Sequence, residues 1–332
     1  MRRGLVFGKF MPLHRGHQLL IDTALSQVDD LTIVVYDLRP EGSYPPMPID
    51  KRLGWLRELY PDVEGIVALE DPEWDNPERD DPTYAAEYAA GIEFLGPFDR
   101  VFTSERSYER FARELGAEHV VVDLARTLIP ISGSQIRENL YEHRGWLDPR
   151  VYSSLIQKVV MVGTESTGKT TLARELARVY KTLWTHEFGR ELWVSQGGGT
   201  FADHLLMARR QLQRETAAAR HARDFLFCDT NAWTTLHWSL FTYGAADARL
   251  VELADRTFDD YVWVVCGMDI PFEADGVREL QGDKARRMHE QQVADLERRG
   301  AKAVVYAEGS VEERIAQVTE AIGAPQLSSY TS

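Results

Sequence analysis

Eight short apolar runs rich in β-branched and aromatic residues punctuate this chain, at 5–8, 31–36, 100–104, 119–123, 158–162, 225–229, 261–266 and 303–307. Segments with apolar residues at helical spacing separate them, as in His17–Leu25 and Tyr108–Leu115. Runs without polar alternation read as strands buried on both faces, and strands alternating with helices close into a parallel sheet covered by helices. The sequence therefore predicts an α/β chain. In such sheets ligands sit at the carboxyl ends of the strands, so chemistry is expected in the residues that directly follow each run.

The runs fall into two series of four, on either side of YEHRGWLDPRVYSSL (141–155), where Gly145 and Pro149 interrupt the pattern. At a typical ~150 residues per domain, 332 residues also suggest two domains, divided at about residue 150 into 1–150 and 151–332. With 44% hydrophobic residues, each half can bury an ordinary core. A net charge of −14, from 38 Lys+Arg against 52 Asp+Glu, excludes general coating of nucleic acid, because phosphate backbones demand concentrated cations. Most of that charge, −10, lies in 1–150, with seven acids in the Pro-rich stretch 70–81, read as an exposed loop. Cys228 and Cys266 lie within apolar runs, which predicts buried thiols rather than a metal site or disulfide framework and suits a reducing cytoplasm. No apolar run reaches the ~18 residues of a membrane span, and no signal peptide is visible, so a cytoplasmic protein without a membrane partner is expected.

Directly after the run at 5–8 comes Gly8-Lys9-Phe10-Met11-Pro12-Leu13-His14-Arg15-Gly16-His17, with a helix expected to start near His17. Two imidazoles three residues apart at a helix start can both face an anion, where backbone N–H groups and the helix dipole already favour phosphate. Gly8 and Gly16 would allow close backbone approach. Farther along, Ser132 and Ser134 can cap a helix whose first turn carries Arg137, a cation suited to phosphate.

The run at 158–162 leads into Gly163-Thr164-Glu165-Ser166-Thr167-Gly168-Lys169-Thr170, a full match to G-x-x-x-x-G-K-[ST], followed by Thr171 and a helical segment. In this P-loop pattern backbone N–H groups wrap the phosphates of ATP, Lys169 adds a point charge and the Thr170 hydroxyl coordinates Mg²⁺. Such a loop needs a nearby strand-end carboxylate, and Asp229, which ends FLFCD, is the candidate. His186-Glu187-Phe188-Gly189-Arg190 and the segment Asp269–Arg278 follow later strands; Arg278, Lys284, Arg286 and Arg287 form a basic cluster able to close over phosphate as a lid.

GKFMPLHRGH resembles the G-x-F-x-P-x-H-x-G-H signature of the nucleotidyltransferases, and ISGSQIR (131–137) resembles their I-S-x-T/S-x-x-R signature, with Ser134 where Thr is usual. A nucleotidyltransferase motif followed by a P-loop, with DIPFEADGVR later on, resembles the bifunctional nicotinamide mononucleotide adenylyltransferase/ribosylnicotinamide kinase family, often called NadR-like. The resemblance implies a Rossmann-like nucleotidyltransferase sheet followed by a P-loop kinase sheet. It implies that the second domain phosphorylates nicotinamide riboside with ATP to the mononucleotide (NMN), and that the first transfers AMP from ATP to NMN, giving NAD and pyrophosphate. His14, His17, Lys9 and Arg137 would stabilise charge in that in-line transfer, with Gly8, Phe10, Gly16, Ser132 and Ser134 contacting ATP. Glu187 and Arg190 would hold the riboside, joined by Asp269 and Arg278, and Glu187 or Asp229 would orient or deprotonate its hydroxyl. Trp55 and Trp74 are stacking candidates for nicotinamide. The family reads Asp-Thr-Asp where Asp229-Thr230-Asn231 stands, which puts a metal role for the third position in doubt. Some members carry an N-terminal helix-turn-helix; the first strand begins by about residue 4, so no DNA partner is expected. Two alternatives stay open: another adenylyl- or cytidylyltransferase fused to a different small-molecule kinase, and a nucleotide sensor whose catalysis has decayed. The oligomeric state is not readable.

Overall fold

The computed structural model describes residues 1–37, 47–70, 82–197, 199–271 and 280–324. The chain divides into two compact units, Met1–Leu155 and Ile156–Ser332. The residue-150 boundary expected from sequence falls inside a helix, Pro149–Leu155, that the contact division assigns to the first unit.

The first unit holds five parallel strands, β1 (Arg3–Gly8), β2 (Asp30–Asp37), β3 (Gly65–Glu70), β4 (Arg100–Thr103) and β5 (Glu118–Val121), in the order β3-β2-β1-β4-β5. Helices α1 (Arg15–Leu25), α2 (Ile49–Leu59), α3 (Pro82–Ala90), α4 (Glu109–Glu114), α5 (Gly133–Glu138) and α6 (Pro149–Leu155) accompany them. Strand β3 was not among the sequence-predicted runs, although Ile66–Leu69 is continuously apolar; it lies at the sheet edge and only Ile66 of it is buried. Leu5, Val34, Val101 and Phe111 anchor the core on one face of the sheet. The connections reverse direction beside β1, between β1 and β4, which puts the end of β1 at the crevice where open α/β sheets bind ligands.

The second unit repeats the arrangement with β6 (Gln157–Val162), β7 (Leu183–Thr185), β8 (Phe225–Cys228), β9 (Tyr261–Cys266) and β10 (Val304–Ala307), all parallel, in the order β10-β9-β6-β8-β7. Its helices are α7 (Lys169–Tyr180), α8 (Phe188–Gln196), α9 (Asp203–Ala219), α10 (Ala232–Tyr243), α11 (Ala248–Arg256), α12 (Gly282–Arg298) and α13 (Val311–Ile322). Strand β6 lies between β8 and β9, so the loop after it opens at this sheet's own reversal point. Both cysteines are buried and unbridged, as their apolar surroundings predict. No helix among the described residues is long and apolar enough to cross a membrane.

Candidate functional site

In the first unit the chain leaves β1 at Gly8 and turns through Phe10 (φ 50°) toward His14, the N-cap of α1. His14 Nδ1 accepts the Gly16 N–H at 3.0 Å, and His17 Nδ1 accepts the His14 N–H at 3.4 Å, a capping box built from two imidazoles. The helix therefore starts two residues earlier than its apolar spacing suggests. Because both Nδ1 atoms accept, the proton of each neutral ring sits on Nε2. The rings stack at 3.9 Å. Burial, then the positive charge of Arg126, lowers the proton affinity of His14 to a pKa of about 4; burial followed by His14 itself pushes His17 well below the ordinary imidazole range. The pair is thus neutral at neutral pH. A Cβ at Gly16 would lie 2.9 Å from His14 Cε1, so glycine there is what allows the imidazole to fold back as a cap.

Arg137 donates to the Met11 carbonyl at 2.5 Å and to Ser134 Oγ at 3.0 Å, drawing the start of α5 onto the post-β1 loop. Ser132 supplies the helix cap, in a capping box with Gln135. Ser134, expected to help cap, instead lies within the helix as the acceptor for Arg137. Phe10, expected to contact nucleotide, is 1% exposed with its ring 4.9 Å from that of His17, so it packs against that imidazole. Trp55, a stacking candidate for which packing is the competing explanation, is 4% exposed and donates its indole N–H to Ser154 Oγ at 2.8 Å; it is a core side chain linking α2 to α6. Trp74 lies outside the described residues.

Sequence reasoning missed Arg52. Its guanidinium is fully buried and donates to the carbonyls of Met47, Lys9 and Tyr36 at 3.0, 2.8 and 2.7 Å and to Asp37 Oδ1 at 2.9 Å. It ties the Lys9 backbone to the end of β2. Nothing in KRLGWLREL distinguishes it from a solvated helix arginine, because all of its partners except Met47 are at least 15 positions away.

In the second unit Gly163–Thr170 forms the turn between β6 and α7. Gly163 has φ +147°, and a Cβ there would meet Thr167 Oγ1 at 2.7 Å, so only glycine fits. Lys169 Nζ donates to the Thr164 carbonyl at 2.6 Å and Thr167 Oγ1 to the same carbonyl at 2.9 Å. Thr164 and Thr167 are buried, so this loop faces its cavity with backbone rather than with those side chains. Thr170 Oγ1 donates to Asp229 Oδ2 at 2.6 Å, bringing together a hydroxyl and a carboxylate that are 59 residues apart. Asp229 is 3% exposed, its Oδ1 has no hydrogen-bond partner, and burial raises its proton affinity. A hydroxyl beside a buried carboxylate with a spare oxygen is a donor set that suits a hard divalent cation such as Mg²⁺. Asn231 is the N-cap of α10, its Oδ1 accepting from Thr234 N at 3.0 Å, which accounts for an amide at this position.

Glu187 ends the β7 connection as the N-cap residue of α8. Burial first, then the neighbouring Asp229 carboxylate, raises its pKa to about 7, against the opposing pull of Lys169 and Arg190. Gln211, which sequence reasoning passed over, fixes this turn: its buried amide accepts from Phe188 N at 3.0 Å and donates to Thr185 Oγ1 and the Thr230 carbonyl, both at 3.3 Å. Glu187, Arg190, Lys169 and Thr170 line one cavity of about 850 Å³ with Trp193, Trp238, Phe241 and Tyr243. Lys284 and Arg287 reach the same cavity from α12, whereas Arg286 is not in its lining, and Arg278 lies outside the described residues. Glu165 turns toward the start of α12, accepting Leu280 N at 2.8 Å.

Asp269, expected to hold substrate, is committed elsewhere. Its Oδ1 accepts from Arg314 Nη2 at 2.6 Å and its Oδ2 from Gly309 N at 2.6 Å. Arg314, 1% exposed, also donates to the carbonyls of Thr167 at 2.7 Å and Gly309 at 3.0 Å. This buried guanidinium clamps the phosphate-type loop to the ends of β9 and β10.

A sequence-family profile described as AAA domain matches residues 158–314. Over 343 aligned positions the chain is 30% identical to the Trifunctional NAD biosynthesis/regulator protein NadR of Escherichia coli K12, spanning 96% of this chain and 82% of that protein. The chain belongs to the NadR family. NadR membership places it among NAD-biosynthesis proteins, and nicotinamide-nucleotide adenylyltransferases are also relatives: that of Thermococcus kodakarensis is 27% identical over 48% of this chain and 84% of its own. Two solved NadR structures align along most of both chains. One, in complex with NAD and AMP-PNP, is 25% identical with a TM-score of 0.56 and covers 96% of each chain. The other, in complex with NR, is 26% identical with a TM-score of 0.58, covering 97% of this chain and 96% of its own.

Proposed function

We propose that this NadR-family enzyme makes NAD from nicotinamide riboside in two steps, the second unit forming NMN and the first unit adenylylating it. The observation that carries the reading is a pair of motif-bearing strand ends, one in each unit, in a chain that aligns along 96% of its length with NadR. NadR structures with NAD and AMP-PNP, and with NR, support these ligands.

In the second unit, ATP phosphates lie along the Gly163–Thr170 backbone, with Lys169 released from the Thr164 carbonyl to meet them. Thr170 and Asp229 would hold Mg²⁺, which supplies charge neutralisation on the phosphates. The riboside occupies the aromatic part of the cavity, by Trp193, Trp238 and Tyr243, with its 5′-hydroxyl toward Glu187. Glu187 accepts the hydroxyl proton as that oxygen bonds to the γ-phosphorus, and ADP leaves. Lys284 and Arg287 face the cavity from α12 and offset charge on the transferring group.

In the first unit, the NMN phosphate oxygen attacks the α-phosphorus of ATP and pyrophosphate leaves, with no covalent enzyme intermediate. The chain supplies position and donors: the Nε2–H group of His14, that of His17 once released from the Pro12 carbonyl, and the cations of Lys9 and Arg137. Incubation with ATP, Mg²⁺ and nicotinamide riboside tests the whole reading, with NMN and then NAD expected. Turnover with another nucleoside or phosphate ester, and neither product from the riboside, rejects it.

A further inference from the structure

We propose that Asp295 is a positioning residue for phosphoryl transfer in the second unit: it fixes the rotation of α12 against α10 and so keeps Lys284 and Arg287 turned into the cavity. The proposal deepens the kinase reading and rests on it for the reaction that these cations serve.

Helix α12 carries cavity residues and anchor on one stripe. Lys284, Met288, Gln291 and Asp295 follow one another at spacings of four, three and four residues, which stacks them along a single helix face. Lys284 and Gln291 line the cavity, Met288 packs with Trp238 and Phe241 of α10, and Asp295 meets Trp233 and His237 of that same helix. The two helices therefore run antiparallel. Lys284 and Asp295 are about three turns apart, roughly 16 Å of axis, and neither glycine nor proline interrupts α12 between them. A rotation that pulled Asp295 from its partners would swing Lys284 and Arg287 away from the cavity through the same angle.

What holds the helix differs along its length. Toward Lys284, apart from the bond of Glu165 to Leu280 N ahead of the first turn, the contact is apolar, with Leu280, Ala285 and Met288 against Trp238 and Phe241. Such contact is non-directional and defines rotation about the helix axis only weakly. At the far end the contact is polar. Asp295, its side chain 13% exposed, accepts the Trp233 indole N–H at 2.9 Å and the His237 Nε2–H at 3.1 Å. It also accepts from Arg298, and from Arg299 Nε at 2.8 Å, while Arg299 continues to Asp255 of α11 at 2.5 Å. Burial opposes its ionisation, but the donors of His237, Arg298 and Trp233 bring its pKa down to about 2, so the group is a carboxylate that only accepts. The donors from α10 are held in place too: Trp233 is fully buried, its ring 4.1 Å from that of His237 and 5.0 Å from that of Trp263 in β9. A carboxylate saturated by directional donors gives α12 one rotational setting.

The test follows riboside phosphorylation by the full chain carrying Asp295→Asn, which keeps the side chain's shape and removes its charge. Turnover is expected to fall about tenfold while KM for the riboside stays within about twofold, since displaced cations fail the transferring group rather than the bound riboside. In a Lys284→Ala/Arg287→Ala background the same substitution should cost little more, because the anchor acts through those two side chains. Trp233→Phe, which deletes one donor and keeps a ring in the core, should give a smaller effect of the same kind and replaces Asp295→Asn if that variant does not fold. Nitroxides at Arg286→Cys on α12 and Arg178→Cys on α7, both exposed positions, report the helix directly, since the two native cysteines are buried. Their distance distribution should shift or broaden in Asp295→Asn. An unchanged distribution, or the same fold-loss from Asp295→Asn with and without the two cations, overturns the proposal. If the distribution responds while the parent makes no NMN from ATP and the riboside, the kinase reading falls and the anchoring of α12 stands.

Discussion

Glu187 is the side chain whose chemistry depends most on its surroundings. Burial and Asp229 hold its proton to a pKa of about 7, so in the unliganded protein the base form is about half populated at neutral pH. Kinase kcat/KM should therefore rise with pH through about 7 and level off above it, and Glu187→Gln should lose that limb with about a 100-fold or greater fall in turnover. The sign for stability is the reverse. A carboxylate whose folded pKa is raised makes the native state bind more protons, so stability falls as pH rises from the ordinary glutamate range to about 7. Glu187→Gln should then stabilise the second unit at pH 8, by on the order of 1 kcal/mol in denaturant titrations. The histidine pair gives the complementary case. With His14 titrating near 4 and His17 held well below the ordinary imidazole range by burial, adenylyl-transfer kcat/KM should stay flat as pH falls from 8 through that range. The unfolded chain binds protons there that the folded one does not, so stability of the first unit should fall below about pH 6.5. A decline in kcat/KM centred near 6.5, removed by His14→Asn, would show that the rings act as cations instead.

Between elements, a single buried arginine holds the second unit's phosphate-type loop in register. Arg314 begins in α13, yet it spans the ends of β9 and β10 and the Thr167 carbonyl. Arg314→Ala leaves Asp269 and two carbonyls without their donor, and should cost about 3–5 kcal/mol in denaturant unfolding, together with a large loss of ATP affinity. Undiminished ATP binding in that variant would show that the loop holds its shape without the clamp. This contact also marks the limit of what the sequence reveals. Strands β1, β2, β6, β8 and β9 are legible because burial on both faces leaves continuous apolar runs, and Gly163–Thr170 is legible because its conformation admits so few residues. Edge strand β3 is passed over although Ile66–Leu69 is apolar, whereas the edge strands β5 and β10 are marked by their own apolar runs, so edge position alone does not decide what can be read. Arg314, Arg52 and Gln211 each reach partners 15 to 147 positions away, and a polar residue in a helical segment carries no local sign of what it will meet. Asp269 and Trp55 fail in the opposite direction: a strand-end acid and an aromatic near a motif look functional, but the fold uses both for scaffolding.

For the whole molecule, the question is whether two parallel sheets in one chain work as two catalysts. Each unit has its own core and its own strand-order reversal, and the candidate residues of each constellation are drawn from that unit's own stretch of chain. That independence makes the two proposed activities separable by substitution. His14→Ala with His17→Ala should stop NAD formation while NMN accumulates from the riboside. The loss should be large, because the pair supplies donors to the transferring phosphate that nothing else in the capping box can replace. Lys169→Ala should do the converse, abolishing turnover of the riboside while added NMN is still converted to NAD. Following NMN and NAD together by chromatography over time distinguishes the outcomes. If the His14/His17 variant accumulates no NMN, or the Lys169 variant cannot use added NMN, the units depend on one another and the reading of two self-sufficient sites fails.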